Sequence, residues 1–135
     1  MSDENERLVR EAFERVWVQG DFDLIGQDYV DHNPAPGLPG NREGLMRLRE
    51  MTLAGFPDFT VTVEDAVASG DKVAVRLTNS GTHEGTFLGI APTETRTSWT
   101  VMAIFRIADG TVVERWGLVD AVSLLTQLGA FPQRS

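Results

Sequence analysis

Apolar residues recur at every second position from Phe59 onward, whereas before it they recur at every third and fourth. Phe59, Val61 and Val63 alternate with Thr60, Thr62 and Glu64 in a strand that continues to Ala68. Val73, Val75 and Leu77 alternate with Ala74, Arg76 and Thr78 in a strand running toward His83. In a third strand, Ser98 to Ile107, residues Trp99, Val101, Ala103, Phe105 and Ile107 share one face and Thr100, Met102, Ile104 and Arg106 the other. A fourth covers 112–119. Side chains two apart project from the same face, so this half predicts four strands. Ser69-Gly70-Asp71 and Asp109-Gly110 are hairpin signals and make neighbouring strands antiparallel.

The first half predicts helices. Leu8, Val9, Ala12, Phe13, Val16 and Trp17 give residues 3–19 one apolar stripe, closed by Gly20. Asp21 can cap a short second helix over 21–27, and Tyr29 to Asn33 follows as an irregular or short extended segment. Three prolines and two glycines make 34–40 a stiff loop. A further helix spans 41–54, 84–95 is a loop, and a last short helix spans 121–128. Helices segregated from an antiparallel sheet define an α+β fold, expected as one domain over 1–135. Both faces of the strands carry apolar residues, so one face should pack on the helices and the other on a second copy, as a homodimer.

Composition narrows the function. Twenty acids against 12 bases leave a net charge of −8, and Arg42, Arg47 and Arg49 are interleaved with Glu43 and Glu50. No nucleic acid partner is therefore expected, because phosphate contacts need clustered cations. The chain has no cysteine, which removes disulfides, thiolate metal sites and cysteine nucleophiles. The opening, MSDENERLVREAF, has no apolar h-region, and no apolar run approaches the roughly 20 residues of a membrane span. A cytoplasmic location with no membrane partner is the expectation.

One acid stands apart. Asp120 lies where the last strand meets the last helix, and counting back by twos gives Leu118, Trp116, Glu114 and Val112 on its face. A carboxylate sharing a face with Trp and Leu is either the cap of the following helix or a catalytic acid/base at the bottom of a pocket.

The strings Asp31-His32-Asn33-Pro34, Gly81-Thr82-His83-Glu84-Gly85, Phe87 to Thr93, and Glu114 to Asp120 with Gln127-Leu128-Gly129 resemble the SnoaL-like polyketide cyclases, or ester cyclases. The resemblance covers nearly the whole chain in matching order. It implies an NTF2-like cone, with N-terminal helices packed on a curved antiparallel sheet and a short C-terminal helix. It also implies cofactor-independent chemistry on an apolar, carbonyl-bearing small molecule, with Asp120 at the position of the family's acid/base for aldol ring closure. Isomerase or lyase chemistry, an epoxide-hydrolase-like or ketosteroid-isomerase-like reaction, and plain ligand binding all fit the same scaffold.

The candidate residues carry alternatives. Burial beside Trp116 and Leu118 would raise the pKa of Asp120 and suit it to both halves of an aldol reaction. His32 and His83 could orient it or polarise a carbonyl; lone histidines are otherwise structural or surface groups. Their spacing matches no helix-borne metal motif, so no metal is expected. Arg76 anchors a carboxylate or enolate if its face lines the cone, and is an edge or interface charge if not. Glu114 reads as a salt-bridge partner of Arg76 or Arg106. Trp116, Trp17, Tyr29, Phe56, Phe59, Trp99 and Met102 are possible pocket walls, although large aromatics are more often core. Asn33 could donate its amide to a keto oxygen or serve the turn before Pro34. A second acid placed for the Asp-Arg-Asp arrangement of limonene epoxide hydrolases is missing.

Overall fold

A computed structural model describes residues 2–130. Helix α1 (Ser2–Phe13) runs into a π-helical segment (Glu14–Gln19), followed by β1 (Ile25–Asp31), α2 (Arg42–Gly55), β2 (Thr60–Ser69), β3 (Lys72–Thr82), β4 (Arg96–Ala108), β5 (Thr111–Val119) and α3 (Ala121–Gln127). The periodic signals set most of these bounds. Gly20, at φ 69°, closes the first helical run by giving its N–H to the carbonyl of Val16. Asn41 caps α2 by accepting the N–H of Gly44 at 2.9 Å. Asp109 and Gly110, both at positive φ, turn β4 into β5.

The sheet has five strands in the order β1-β5-β4-β3-β2. β2 to β5 form the expected antiparallel meander, but β1 lies on the far side of β5 and parallel to it. The sheet is therefore mixed, and the short helix expected over 21–27 is absent. Asp21 instead accepts the N–H of Asp23 in a turn that feeds β1. The pairing of β1 slips between Ile25 and Val30, so buried Ile25 and Gly26 are adjacent and no clean alternation marks the strand.

Further irregularities in β2, between Val63 and Asp65, and opposite Arg106–Ile107 curve the sheet. The concave face collects the inward side chains of β3 (Val73, Val75, Leu77) and β4 (Trp99, Val101, Ala103, Phe105, Ile107) with Val9, Ala12 and Val16 of the first helical run. Phe13 meets Phe105 edge-on at 5.6 Å. Helices and sheet thus share one core, and the sheet does not close into a barrel. No helix among the described residues is long and apolar enough to cross a membrane.

Candidate functional site

The concave face and the helices enclose a cavity of about 500 Å³, within the range of small-molecule sites. Its walls are mostly aliphatic and aromatic: Val16, Trp17, Leu48, Leu77, Val101 and Phe105 are typical. Against this background its polar groups are few. Among the described residues Asp31 is the one carboxylate lining it and Arg115 the one cation, joined by Tyr29, Asn33, Thr52 and Asn79.

Asp31 and Arg115 are opposite residues of the parallel β1–β5 pair. Both side chains turn inward, only 14% and 17% exposed, and Nη1 of Arg115 donates to both carboxylate oxygens at 3.0 and 3.1 Å. Asn33 locks the pair from behind. Its N–H donates to Asp31 Oδ1, its carbonyl accepts from Arg115 Nη1, and its Oδ1 accepts the N–H of Gly117. The loop after β1 closes on the same point, where the carbonyl of Gly40 accepts the N–H of Asp31. A Cβ at Gly40 would lie against the carbonyl oxygen of Asp31, so no larger residue fits there.

Gly117 plays a different part. A Cβ on it would stand 2.5 Å from Nη2 of Arg115 and 2.7 Å from Cζ. The guanidinium therefore lies flat over the bare backbone of β5 on its concave side. All its bonds among the described residues use Nη1, which leaves Nη2 and Nε to meet a ligand oxygen. Tyr29, two residues before Asp31 and on the same face, is buried. Burial, and secondarily the Asp31 carboxylate, push its pKa far up against the opposing pull of Arg115, so the phenol is a permanent donor.

The candidates chosen from sequence do not converge. β4–β5 pairing puts Leu118, Trp116 and Glu114 on the face of Met102, Ile104 and Arg106, the convex one. Val112 does not share it: the pairing skips a residue opposite Arg106–Ile107 and returns Val112 to the interior. Trp116 stacks on His32 outside the cone, ring centroids 4.8 Å apart and 8° from parallel, with Lys72 Nζ 5.8 Å from the Trp116 ring. His32 pairs through Nε2 with Glu114 at 2.7 Å, and Glu114 also accepts from Arg106 at 2.6 Å. The Arg106 bond first, then His32, holds the Glu114 carboxyl below its ordinary range. Arg76 pairs with Asp65 across strands on the convex side, so it is a charge on the outer face of an inner strand and does not reach the cavity. Met102 lies outside too, and Phe59 and Trp99 pack together and with other aromatics in the core without lining the cavity.

Asp120 is exposed and caps α3, accepting the N–H of Ser123 at 3.1 Å. The face it shares with Trp116 looks outward, so no apolar wall encloses the carboxylate. Its chain neighbours Leu118, at the strand's end, Val119 and Ala121 do line the rim of the cavity. His83 is wholly buried in the core beside Phe56, its Nδ1 accepting the N–H of Thr93 at 3.2 Å. Of the residues singled out, Tyr29, Asn33 and Trp17 reach the cavity. Asp31, Arg115 and Asn79 escaped notice as site residues, although Asp31 and Arg115 both sit inside strings that carried the resemblance.

A sequence profile for the SnoaL-like polyketide cyclases matches residues 7–128. AclR from Streptomyces galilaeus, a candidate hydroxylase, superposes with a TM-score of 0.84 at 30% identity, covering 100% of this chain and 91% of its own. Wild-type IdmH from Streptomyces antibioticus, a candidate polyketide cyclase, is 36% identical with a TM-score of 0.79, covering 93% and 98%. An LEH-like epoxide hydrolase of M. tuberculosis, 20% identical over 94% of this chain and 90% of its own, shares the fold at a TM-score of 0.69. Comparison with curated protein sequences gave no match. The fold is that of the NTF2-like polyketide cyclases.

Proposed function

The chain belongs to the SnoaL-like polyketide cyclase family, and from that premise we propose that it is a cofactor-independent enzyme for an apolar, carbonyl-bearing small molecule, with Asp31 and Arg115 as its reacting pair. The observation that carries this reading is the carboxylate–guanidinium pair, the one such pair among the described residues of a mostly apolar cavity. Asp31 Oδ2 takes one bond, from Arg115 Nη1, and keeps lone-pair capacity for a substrate proton. In a ring closure Asp31 removes a proton from a carbon flanked by carbonyls. Arg115 Nη2 and the Tyr29 hydroxyl hold the enolate oxygen, and the enolate carbon bonds to a second carbonyl carbon. Asp31 then returns its proton to the new alkoxide, so the product is an isomer of the substrate.

Proton exchange tests the first half of this sequence without the natural substrate. With 2-tetralone in D₂O, followed by NMR, the wild type accelerates exchange at the carbon between ketone and ring. Asp31→Asn lowers the accelerated rate by about 10²–10⁴, the usual worth of a positioned acid/base. A wild type that binds 2-tetralone without accelerating exchange is a binding protein, and the enzymatic reading is then wrong.

A homodimer belongs to the same reading. Met102 is 58% exposed and Ile104 43%, two residues apart on the convex face of β4, and neither lines the cavity. A second copy of the chain covering this apolar surface would leave both cavities open.

A further inference from the structure

Asn79 is a cavity polar group that the reaction leaves unused. It lies on the concave face of β3, opposite Val61 of β2 and Trp99 of β4, with Leu77 as its inward neighbour. Its Oδ1 is buried and has no hydrogen-bond partner among the described residues. A strand position between three apolar side chains ordinarily holds another one, and a buried acceptor left unpaired is costly. Packing therefore gives no reason for an amide here; a ligand group that donates to it does.

The register fixes how far that group is from the reacting pair. Gly117 faces Ala103, and Ala103 faces Val75. Asn79 is thus four residues further along β3 and two strands across from the point over which the Arg115 guanidinium lies. At about 3.4 Å per residue and about 4.8 Å per strand, the two backbone positions are about 17 Å apart. The curvature of the sheet and the inward reach of both side chains shorten the gap between their polar atoms. Apolar wall fills the interval. A single ring does not bridge it; a fused polycycle does.

Building on the cavity assignment above, we propose that Asn79 selects substrates whose polycyclic skeleton carries a hydroxyl at the end opposite the reacting carbonyl, accepting that hydroxyl's hydrogen bond at Oδ1. The site thereby reads its ligand at both ends. Asp31 and Arg115 take the carbonyl, and Asn79 demands a donor.

Estrone, a rigid tetracycle with a ketone at one end and a phenol at the other, is the probe, with 3-deoxyestrone as its match lacking the donor. Affinities are read from quenching of tryptophan fluorescence. The wild type binds estrone at least about tenfold more tightly than 3-deoxyestrone, the worth of a buried acceptor gaining its donor. In Asn79→Leu the preference falls to about one, and 3-deoxyestrone binds at least as tightly as in the wild type because no acceptor is left unpaired. Equal binding of the two steroids to the wild type, or a preference that survives in Asn79→Leu, overturns the role of Asn79 and leaves the cavity assignment standing. Binding of neither steroid to the wild type overturns the two-ended cavity as well. The wild-type comparison needs no variant to fold, and neither reading depends on turnover.

Discussion

Replacing Gly117 with Ala adds one methyl group to the concave face of β5 and puts it where the Arg115 guanidinium lies. The backbone there has no positive φ, so Ala brings no strain of its own. The new Cβ, however, stands 2.5 Å from Nη2, and the guanidinium must move. Moving it stretches the bonds from Nη1 to Asp31 and to the carbonyl of Asn33. Each charge-assisted bond in so protected a pair is worth about 1.5–3 kcal/mol. Against that loss, Ala restricts the unfolded chain and returns about 0.4–1 kcal/mol. The net cost is about 2 kcal/mol, or about 8 °C in melting temperature at about 4 °C per kcal/mol for a chain of this size. Exchange of 2-tetralone falls with it, because the donor over the enolate oxygen is displaced. Thermal denaturation and the exchange rate together check both parts. In an Asp31→Asn background the Ala substitution should cost less than about 0.5 kcal/mol, since the bonds it strains are already weakened. A Gly117→Ala protein that melts and reacts like the wild type would refute the placement of Arg115 over this glycine.

Asp120→Ala removes a helix cap and costs about 1 kcal/mol, or about 4 °C in melting temperature, while Asp120→Asn, an equally good cap, leaves it unchanged within about 1 °C. Tyr29 has a raised folded pKa through burial, so its stabilising contribution is complete below the unfolded value near 10 and is lost as pH rises above it. Melting of Tyr29→Phe should accordingly decline less between about pH 10 and 11.5 than that of the wild type. At the acid end, the N–H and hydroxyl of Thr82, then Arg96, hold Asp58 below its ordinary 3.8. Its contribution is complete above 3.8 and lost as pH falls through the lower folded value, so a melting series below pH 4 should be flatter for Asp58→Asn. Ile104→Lys with Met102→Lys on the convex face should convert a dimer into a monomer in light scattering, with the cavity exchange reaction intact.

The helices and the four-strand meander were legible because each buries one continuous face, and burial on one face writes a period into the sequence. β1 was not, since its pairing slips after Ile25 and leaves Ile25 and Gly26 buried side by side. The same kind of irregularity misled the reading of the last strand. Counting by twos from Asp120 is sound back to Glu114, but the skipped residue near Ile107 returns Val112 to the interior. More fundamentally, parity says which residues share a face and not which face is concave. Both faces of β5 carry apolar residues, and the one with Trp116 turned out to be the outer one. Asp31 and Arg115 meet only because β1 lies parallel beside β5, a pairing between residues 84 positions apart that no local pattern announces. Asn79 shows the opposite difficulty: its alternation with Leu77 was plain, but an amide on an inward face draws attention only once its neighbours are known to be apolar.

Proton exchange in Asp31→Asn and Asp120→Asn, measured side by side on 2-tetralone in D₂O, separates the cavity acid from the cap. Asp31 inside the cavity predicts a loss of about 10²–10⁴ in Asp31→Asn and a rate within about threefold of the wild type in Asp120→Asn. The reverse pattern, with Asp120→Asn inactive and Asp31→Asn near the wild-type rate, would contradict the assignment and make the rim residue implied by the family resemblance the acid/base.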